Sequence, residues 1–346
     1  MNKNLTRILI VSFLLTGCEK ILLGPGPENT ATGNFDVLWK TIDEKYGQFP
    51  VKNVNWDSLY KFYSKQITPS TAESELWMIS CRLLAPLNDA HIALFNRDYT
   101  TSYSPWNIDF ERSRGFDLGL IKNKFLTHPA VTGEGFITWG TVINTNIGYI
   151  HLSTFGPAAN GRDWVKDIDN VIKLLSASDG ILLDVRNNGG GFLVNVLYVA
   201  SAFVDSEITY FYSQLKTGPG HNEFSEPVAK KVFPRNNGPI YTGKIVLLTN
   251  RFSSSGSEVM AQILKNVPSS EQIGDTTTGV FGEVTHVAQM PNGWTLNYPC
   301  TLTTTPDGIS PEGIGIIPDI ALENTKADVL AGNDKVIEFA ITYLLK

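Results

Sequence analysis

Histidine and cysteine are scarce in this sequence: five His and three Cys in 346 residues. Three cysteines set well apart exclude a disulfide scaffold and a Cys-rich zinc site. No His pair stands at ligand spacing, so neither a metal nor another cofactor is expected. Positive charge is also short. Lys and Arg number 28 against 34 Asp and Glu, a net charge of −6. Nothing is in excess to neutralise phosphates, so nucleic acid is not an expected partner. Internal repeats and low-complexity tracts are missing. What is present is ample apolar material, 42% of residues with 18% charged, enough for a sizeable core and too little charge for a disordered chain. The length suits roughly two domains. Thirty Gly and 18 Pro point to a loop-rich enzyme rather than a helical bundle.

The N-terminus carries a short basic region, Lys3 and Arg7, then an apolar run from Ile8 to Leu15. That run is too short to cross a bilayer, which needs about 20 residues. It has the form of a secretory signal. Its end, Leu15-Thr16-Gly17-Cys18, resembles a bacterial lipobox. That resemblance implies removal of residues 1–17, lipidation of Cys18 and attachment to the cell envelope through the lipid. Loss of Lys3 and Arg7 would leave the mature chain at −8. An anionic surface has little attraction for anionic lipid, so the acyl chains would be the anchor. Residues 18–33, with Gly24-Pro25-Gly26-Pro27, are expected to be a tether.

Residues 34–95 show helical periodicity. Phe35, Leu38, Trp39, Ile42 and Tyr46 fall on one face, and Trp56, Leu59, Tyr60 and Tyr63 repeat the pattern behind an Asn55 cap. A third helix is expected over Thr71–Leu84. Residues 96–146 read as a small β-rich connecting segment, with strand-like pieces at Phe116–Ile121 and Gly135–Val142. From residue 147 to 346, buried strands (Gly148–Leu152, Gly180–Val185, Ile245–Thr249) alternate with helical patterns (Asp163–Leu175, Phe192–Val204, Ser255–Lys265). Alternation of this kind predicts an α/β core with parallel strands.

Four segments could carry chemistry. Asp184-Val185-Arg186-Asn187-Asn188-Gly189-Gly190-Gly191 joins a buried strand to an apolar helix. Its glycines permit φ > 0, and free N–H groups at a helix start suit a developing oxyanion. A plain tight turn would look the same. Ser253-Ser254-Ser255-Gly256-Ser257-Glu258 also opens a helix after a buried strand. Any of its serines could be a nucleophile or simply a cap. Asp89-Ala90-His91 ends the helical region, and Glu312-Gly313-Ile314-Gly315 lies in a turn-rich stretch where a carboxylate is ordinarily solvated.

Together, in this order, the four segments resemble the C-terminal processing (tail-specific) serine peptidase family, across roughly Phe35 to Asp319. The resemblance implies a crotonase/Clp protease-like spiral of βαβ units, a polypeptide substrate and an acyl-enzyme mechanism. It picks Ser255, three residues before Glu258, as nucleophile, and it matches Gly190 and Gly256 to the oxyanion hole. Many members carry a lysine base where this chain has Val280, so a Ser–Lys pair is absent. The tricorn-type branch uses a histidine with a downstream glutamate, which match His91 and Glu312. That branch has a serine before the histidine; here it is Ala90. Asp89 is a rival orienter of the ring, and Glu258 is a candidate supporting residue. Segment 96–146 is too short for the PDZ domain common in the family, so recognition of free C-termini does not follow. Two other readings stay open, a non-catalytic module holding a peptide or apolar ligand, and another acyl hydrolase. Cys81 and Cys300 could be bridged or free, and the oligomeric state is not legible.

Overall fold

The computed structural model describes residues 26–283 and 285–346. The signal-like run, Cys18 and the first part of the expected tether lie outside these residues.

The described residues open with helix α1 (Ala31–Lys45), whose Thr30 hydroxyl accepts the Gly33 N–H at 3.1 Å. This cap starts the helix within the stretch expected as tether. Helices α2 (Trp56–Tyr63) and α3 (Glu73–Leu84) follow, then short strands β1 (Ala93–Phe95) and β2 (Ser102–Tyr103). Asn55 caps α2 as its position suggested, accepting the Ser58 N–H at 2.9 Å.

The next element corrects the sequence reading. Phe116–Ile121 is not a strand: Leu118–Lys124 is helix α4, because the Asp117 carboxylate takes the N–H groups of Gly119 (2.7 Å) and Leu120 (3.2 Å). Strands β3 (Leu126–Thr132), β4 (Ile137–Val142) and β5 (Ile147–Leu152) come next. Helix α5 (Ile168–Leu174) leads to β6 (Gly180–Asp184), and helix α6 (Leu193–Ala200) to the hairpin β7 (Ile208–Leu215) and β8 (Val228–Val232). Strand β9 (Lys244–Thr249), helix α7 (Gly256–Leu264) and strand β10 (Ser270–Gly274) form another strand–helix–strand unit. A second hairpin, β11 (Thr285–Gln289) and β12 (Thr295–Pro299), precedes β13 (Thr301–Thr304) and β14 (Ile320–Ala321). Helices α8 (Lys326–Leu330) and α9 (Lys335–Leu344) end the chain.

Among the described residues, contacts divide the chain into two units. The first holds 26–106, 218–223 and 285–299. Its core gathers Phe35, Leu38, Ile42, Trp56, Leu83 and Trp294. Strand β12 belongs here, within the stretch expected as α/β core, because it pairs antiparallel with β1 in the sheet order β11-β12-β1-β2. The second unit holds 107–217, 224–283 and 300–346. Its seven-stranded sheet has the order β14-β10-β9-β6-β5-β4-β3. Strands β5, β6, β9, β10 and β14 run parallel, joined in turn through α5, α6 and α7, and β4 and β3 extend the sheet antiparallel. Strands β5 and β6 are buried along their whole length, as continuous apolar runs in a parallel sheet require. The fold is therefore α/β with a helical N-terminal region, as the alternation predicted. The expected β-rich segment 96–146 is split between the units, its β3 and β4 serving the large sheet.

Candidate active site

In the second unit, β6 and β9 are neighbours, so the turns leaving their C-terminal ends lie side by side. The β6 turn is the glycine segment; the β9 turn is the serine segment. Asn188 clasps them together. Its side-chain N–H donates to the Leu152 carbonyl (2.8 Å), and its Oδ1 accepts the Gly190 N–H (2.8 Å). Its backbone carbonyl accepts the Ser254 N–H (3.0 Å) and the Ser257 hydroxyl (2.8 Å). Only glycine fits at 190. A Cβ there, at φ 90°, would stand 2.5 Å from the Gly256 nitrogen and 2.9 Å from the Ser255 Cβ.

The four serines separate by their bonds. Ser253 donates to the Val185 carbonyl (2.8 Å) and accepts the Asn250 N–H (3.0 Å), so it fastens the turn. Ser257 is fully buried on Asn188, and Ser254 is buried. Ser255 alone among them is partly exposed. It sits at the N-cap of α7 with φ 51° and ψ −111°, a strained conformation for a residue with a side chain. A serine on a sharp strand-to-helix turn presents its hydroxyl outward and the following N–H groups beneath it.

The amides differ from the expectation in one place. Gly256 N–H, at the first position of α7, has no backbone acceptor, as expected at a helix start. Gly190 N–H is already spent on Asn188. Gly191 N–H donates to no acceptor among the described residues, and its nitrogen lies 3.3 Å from where a Gly256 Cβ would be. Gly191 rather than Gly190 is thus the glycine of the run with a free donor beside Gly256.

Glu258 is fully buried one turn into α7. Its Oε2 accepts the N–H groups of Ser255 (2.8 Å) and Val280 (2.9 Å), and its Oε1 accepts the Thr277 hydroxyl and the Gly279 N–H (2.6 Å each). Burial pushes its carboxyl up to about 7, against the pull of those four bonds. Glu312, at 4% exposure, is not the solvated loop carboxylate that its setting suggested. Its Oε2 accepts the Phe281 N–H at 2.8 Å. Val280 is buried and apolar. Thr277 and Asn188 were given no role from sequence. Apart from the Asn188–Gly190 bond, both act on partners remote in the chain, so only their place inside the motif-bearing segments could have flagged them.

Asp184 and Arg186 form a buried structural network in the same unit. The guanidinium takes Asp184 (2.6 Å from Nη2) and Asp334 (2.9 Å from Nη1), and it lies 4.6 Å over the Phe116 ring. Asp334 also caps α9 through the Ile337 N–H at 3.0 Å.

His91 belongs to the first unit, in the turn after α3. Asp89 orders that turn. Its Oδ1 accepts the His91 backbone N–H and its Oδ2 the Tyr46 hydroxyl, both at 2.8 Å. Asp89 therefore bonds the backbone of His91 rather than its ring. Burial pulls the ring's pKa below its ordinary value, with the Asp89 charge opposing. The imidazole is neutral at pH 7, and its Nδ1 is buried without a hydrogen-bond partner among the described residues. The other histidines differ. His151 is buried against Phe116 with centroids 5.2 Å apart, His221 pairs with Asp43 at 2.9 Å, and His128 and His286 are exposed. Cys81 and Cys300 are both free thiols.

Known proteins align with these segments. The model for peptidase family S41 matches residues 146–322, and that for the tricorn protease C1 domain matches residues 27–77. The carboxy-terminal processing protease CtpB of Bacillus subtilis is 29% identical over 178 residues, 51% of this chain and 34% of that one. The tricorn protease of Thermoplasma acidophilum is 26% identical over 201 residues, 58% of this chain and 17% of that one. The chain thus spans about a third or less of these two relatives. A crystal structure from Parabacteroides merdae, described as that of a candidate peptidase, superposes with a TM-score of 0.82 at 27% identity, covering 92% of this chain and 98% of that one. The photosystem II D1 C-terminal processing protease shares the fold, with a TM-score of 0.52 at 17% identity, covering 85% of this chain and 94% of that one. The S41 match takes in half of the chain, with the glycine turn, the serine turn and Glu312 inside it, and the protein belongs to peptidase family S41.

Proposed function

We propose that this protein is a serine endopeptidase that hydrolyses peptide bonds of unfolded or extended polypeptides through an acyl-enzyme, with Ser255 as nucleophile and His91 as base. The observation that carries the reading is Ser255 itself: the one partly exposed serine of its segment, on a strained helix-start turn beside two amides, Gly256 and Gly191, whose N–H groups have no backbone acceptor. Ser255 Oγ attacks the amide carbonyl carbon while neutral His91 takes its proton. The negative charge that develops on the carbonyl oxygen is met by the N–H groups of Gly256 and Gly191. Collapse breaks the C–N bond, and the imidazolium returns the proton to the leaving amine. Water, deprotonated by the same imidazole, then cleaves the ester. Glu312 orients the ring and stabilises its charged form. Val280 offers no proton acceptor, which favours the histidine.

A fluorophosphonate probe should label Ser255, and Ser255→Ala should lose both labelling and turnover of unfolded casein. Labelling at Ser254 in its place overturns the assignment. We further propose that the mature chain is lipid-anchored through Cys18 at the bacterial cell envelope. Cys18→Ser should then leave the membrane fraction or accumulate as an uncleaved precursor; unchanged lipid labelling of that variant refutes the anchor.

A further inference from the structure

Glu258 has no part in the proton transfers above, yet it is the most heavily bonded side chain around Ser255. Each of its carboxylate oxygens receives two donors. With the acceptor capacity of both oxygens filled, it is not itself a proton acceptor for the serine. Its donors come from two sides. One is the N–H of Ser255; the other three belong to Thr277, Gly279 and Val280.

The 277–281 segment is in turn zipped to the stretch that carries Glu312. Phe281 N–H donates to Glu312 Oε2 (2.8 Å) and Gly313 N–H to the Gly279 carbonyl (2.8 Å). Ile316 N–H donates to the Thr277 hydroxyl (2.7 Å), and Thr277 N–H returns to the Ile316 carbonyl (3.2 Å). Gly279, at φ 89°, makes this approach possible, since a Cβ there would stand 2.8 Å from the Ile314 nitrogen. Three consecutive amides, 279 to 281, are thus divided between two buried carboxylates, Glu258 and Glu312.

We propose that Glu258 is the positioning residue of this site: its carboxylate holds Ser255 in the strained turn that aims the hydroxyl and frees the Gly256 amide, and it fixes the segment that orients Glu312. A residue at unfavourable φ/ψ persists only where its surroundings over-determine it. Here the bond from the Ser255 N–H to the buried Glu258 carboxylate does so. The inference rests on the serine-peptidase reading, and the experiment separates the two.

Wild type, Glu258→Gln and Thr277→Val are compared for rate of fluorophosphonate labelling, for kcat and KM on unfolded casein, and for urea midpoint. Gln sets an NH2 group against two of the four donors, so the turn relaxes. Labelling rate and kcat of Glu258→Gln should fall about 10²-fold, the scale of a misplaced oxyanion donor. KM should stay within about threefold, since substrate contacts are untouched. Thr277→Val deletes one donor to Glu258 and the acceptor of the Ile316 N–H but keeps the three amides, so its kcat should fall about tenfold, with the urea midpoint reading any loss of stability separately. Failure of the wild type to label sinks the peptidase reading and this inference with it. If the wild type labels, normal labelling and kcat in folded Glu258→Gln, or a lowered urea midpoint with unchanged kcat in Thr277→Val, shows a helix cap only and overturns the inference.

Discussion

Acid should stabilise the wild-type fold relative to Glu258→Gln, the reverse of the usual carboxylate behaviour. Folding raises the Glu258 carboxyl from 4.5 to about 7, chiefly through burial, with the bonds to Thr277, Gly279, Val280 and Ser255 pulling the other way. Between these two values the folded chain binds more protons than the unfolded one. The contribution is therefore fully present below 4.5 and is lost as pH rises through 7. At about 1.4 kcal/mol per pKa unit, the window from pH 5 to pH 8 captures roughly 2–3 kcal/mol. Urea unfolding of both proteins at intervals across that window measures it. Gln does not titrate, so the difference in unfolding free energy between wild type and variant removes the contribution of every other group. That difference should shrink by roughly 2–3 kcal/mol, in favour of the variant, from pH 5 to pH 8. A difference that is flat with pH, or that moves the other way, refutes the claim that Glu258 is held ionised against its burial.

Two further perturbations test other parts of the molecule. His91→Ala should lower kcat/KM by about 10²–10⁴-fold, the range for a lost general base; full turnover in that variant moves the proton acceptor elsewhere, with His286 next to test. Arg186→Met should lower the unfolding free energy by about 3–5 kcal/mol, because it strands the buried Asp184 and Asp334 carboxylates; a loss under about 1 kcal/mol, read from urea midpoints, refutes the pairing argument.

Much of the second unit was legible because its strands are buried on both faces. Gly180–Asp184 and Lys244–Thr249 read as apolar runs, and the helices after them follow directly. Helix α4 was misread because Phe116 to Ile121 alternates apolar with polar or small residues as a strand does, while the deciding feature is one Asp117 carboxylate on two amides. Strand β12 was misplaced because its partner β1 lies about two hundred residues earlier, and no local pattern records such pairing. The site shows the same division. The spacing of Ser255 and Glu258 is local and was visible. The choice among serines is set by where Ser253 and Ser257 donate, to Val185 and the Asn188 carbonyl, 68 and 69 residues away. Glu258 was visible as a neighbour of Ser255. Its four donors, three of them 19 to 22 residues downstream, were not.

Position 280 draws these observations into one account of how the site is held. An apolar Val280 cannot take a proton, but its amide still works, as one of three consecutive N–H groups that grip two carboxylates. The backbone there does a positioning task that needs no particular side chain. Its hold on Glu258 requires the ionised form, which burial opposes. Above pH 7, then, the protein keeps a buried charge and a strained serine at a cost in stability, and the two meet at the Ser255 N–H. Below pH 7 the charge is relieved, the fold gains stability, and one acceptor of the Ser255 turn becomes a donor facing other donors. Stability and positioning therefore run in opposite directions with pH through a single carboxylate, a trade expected where a fold sustains strain for function.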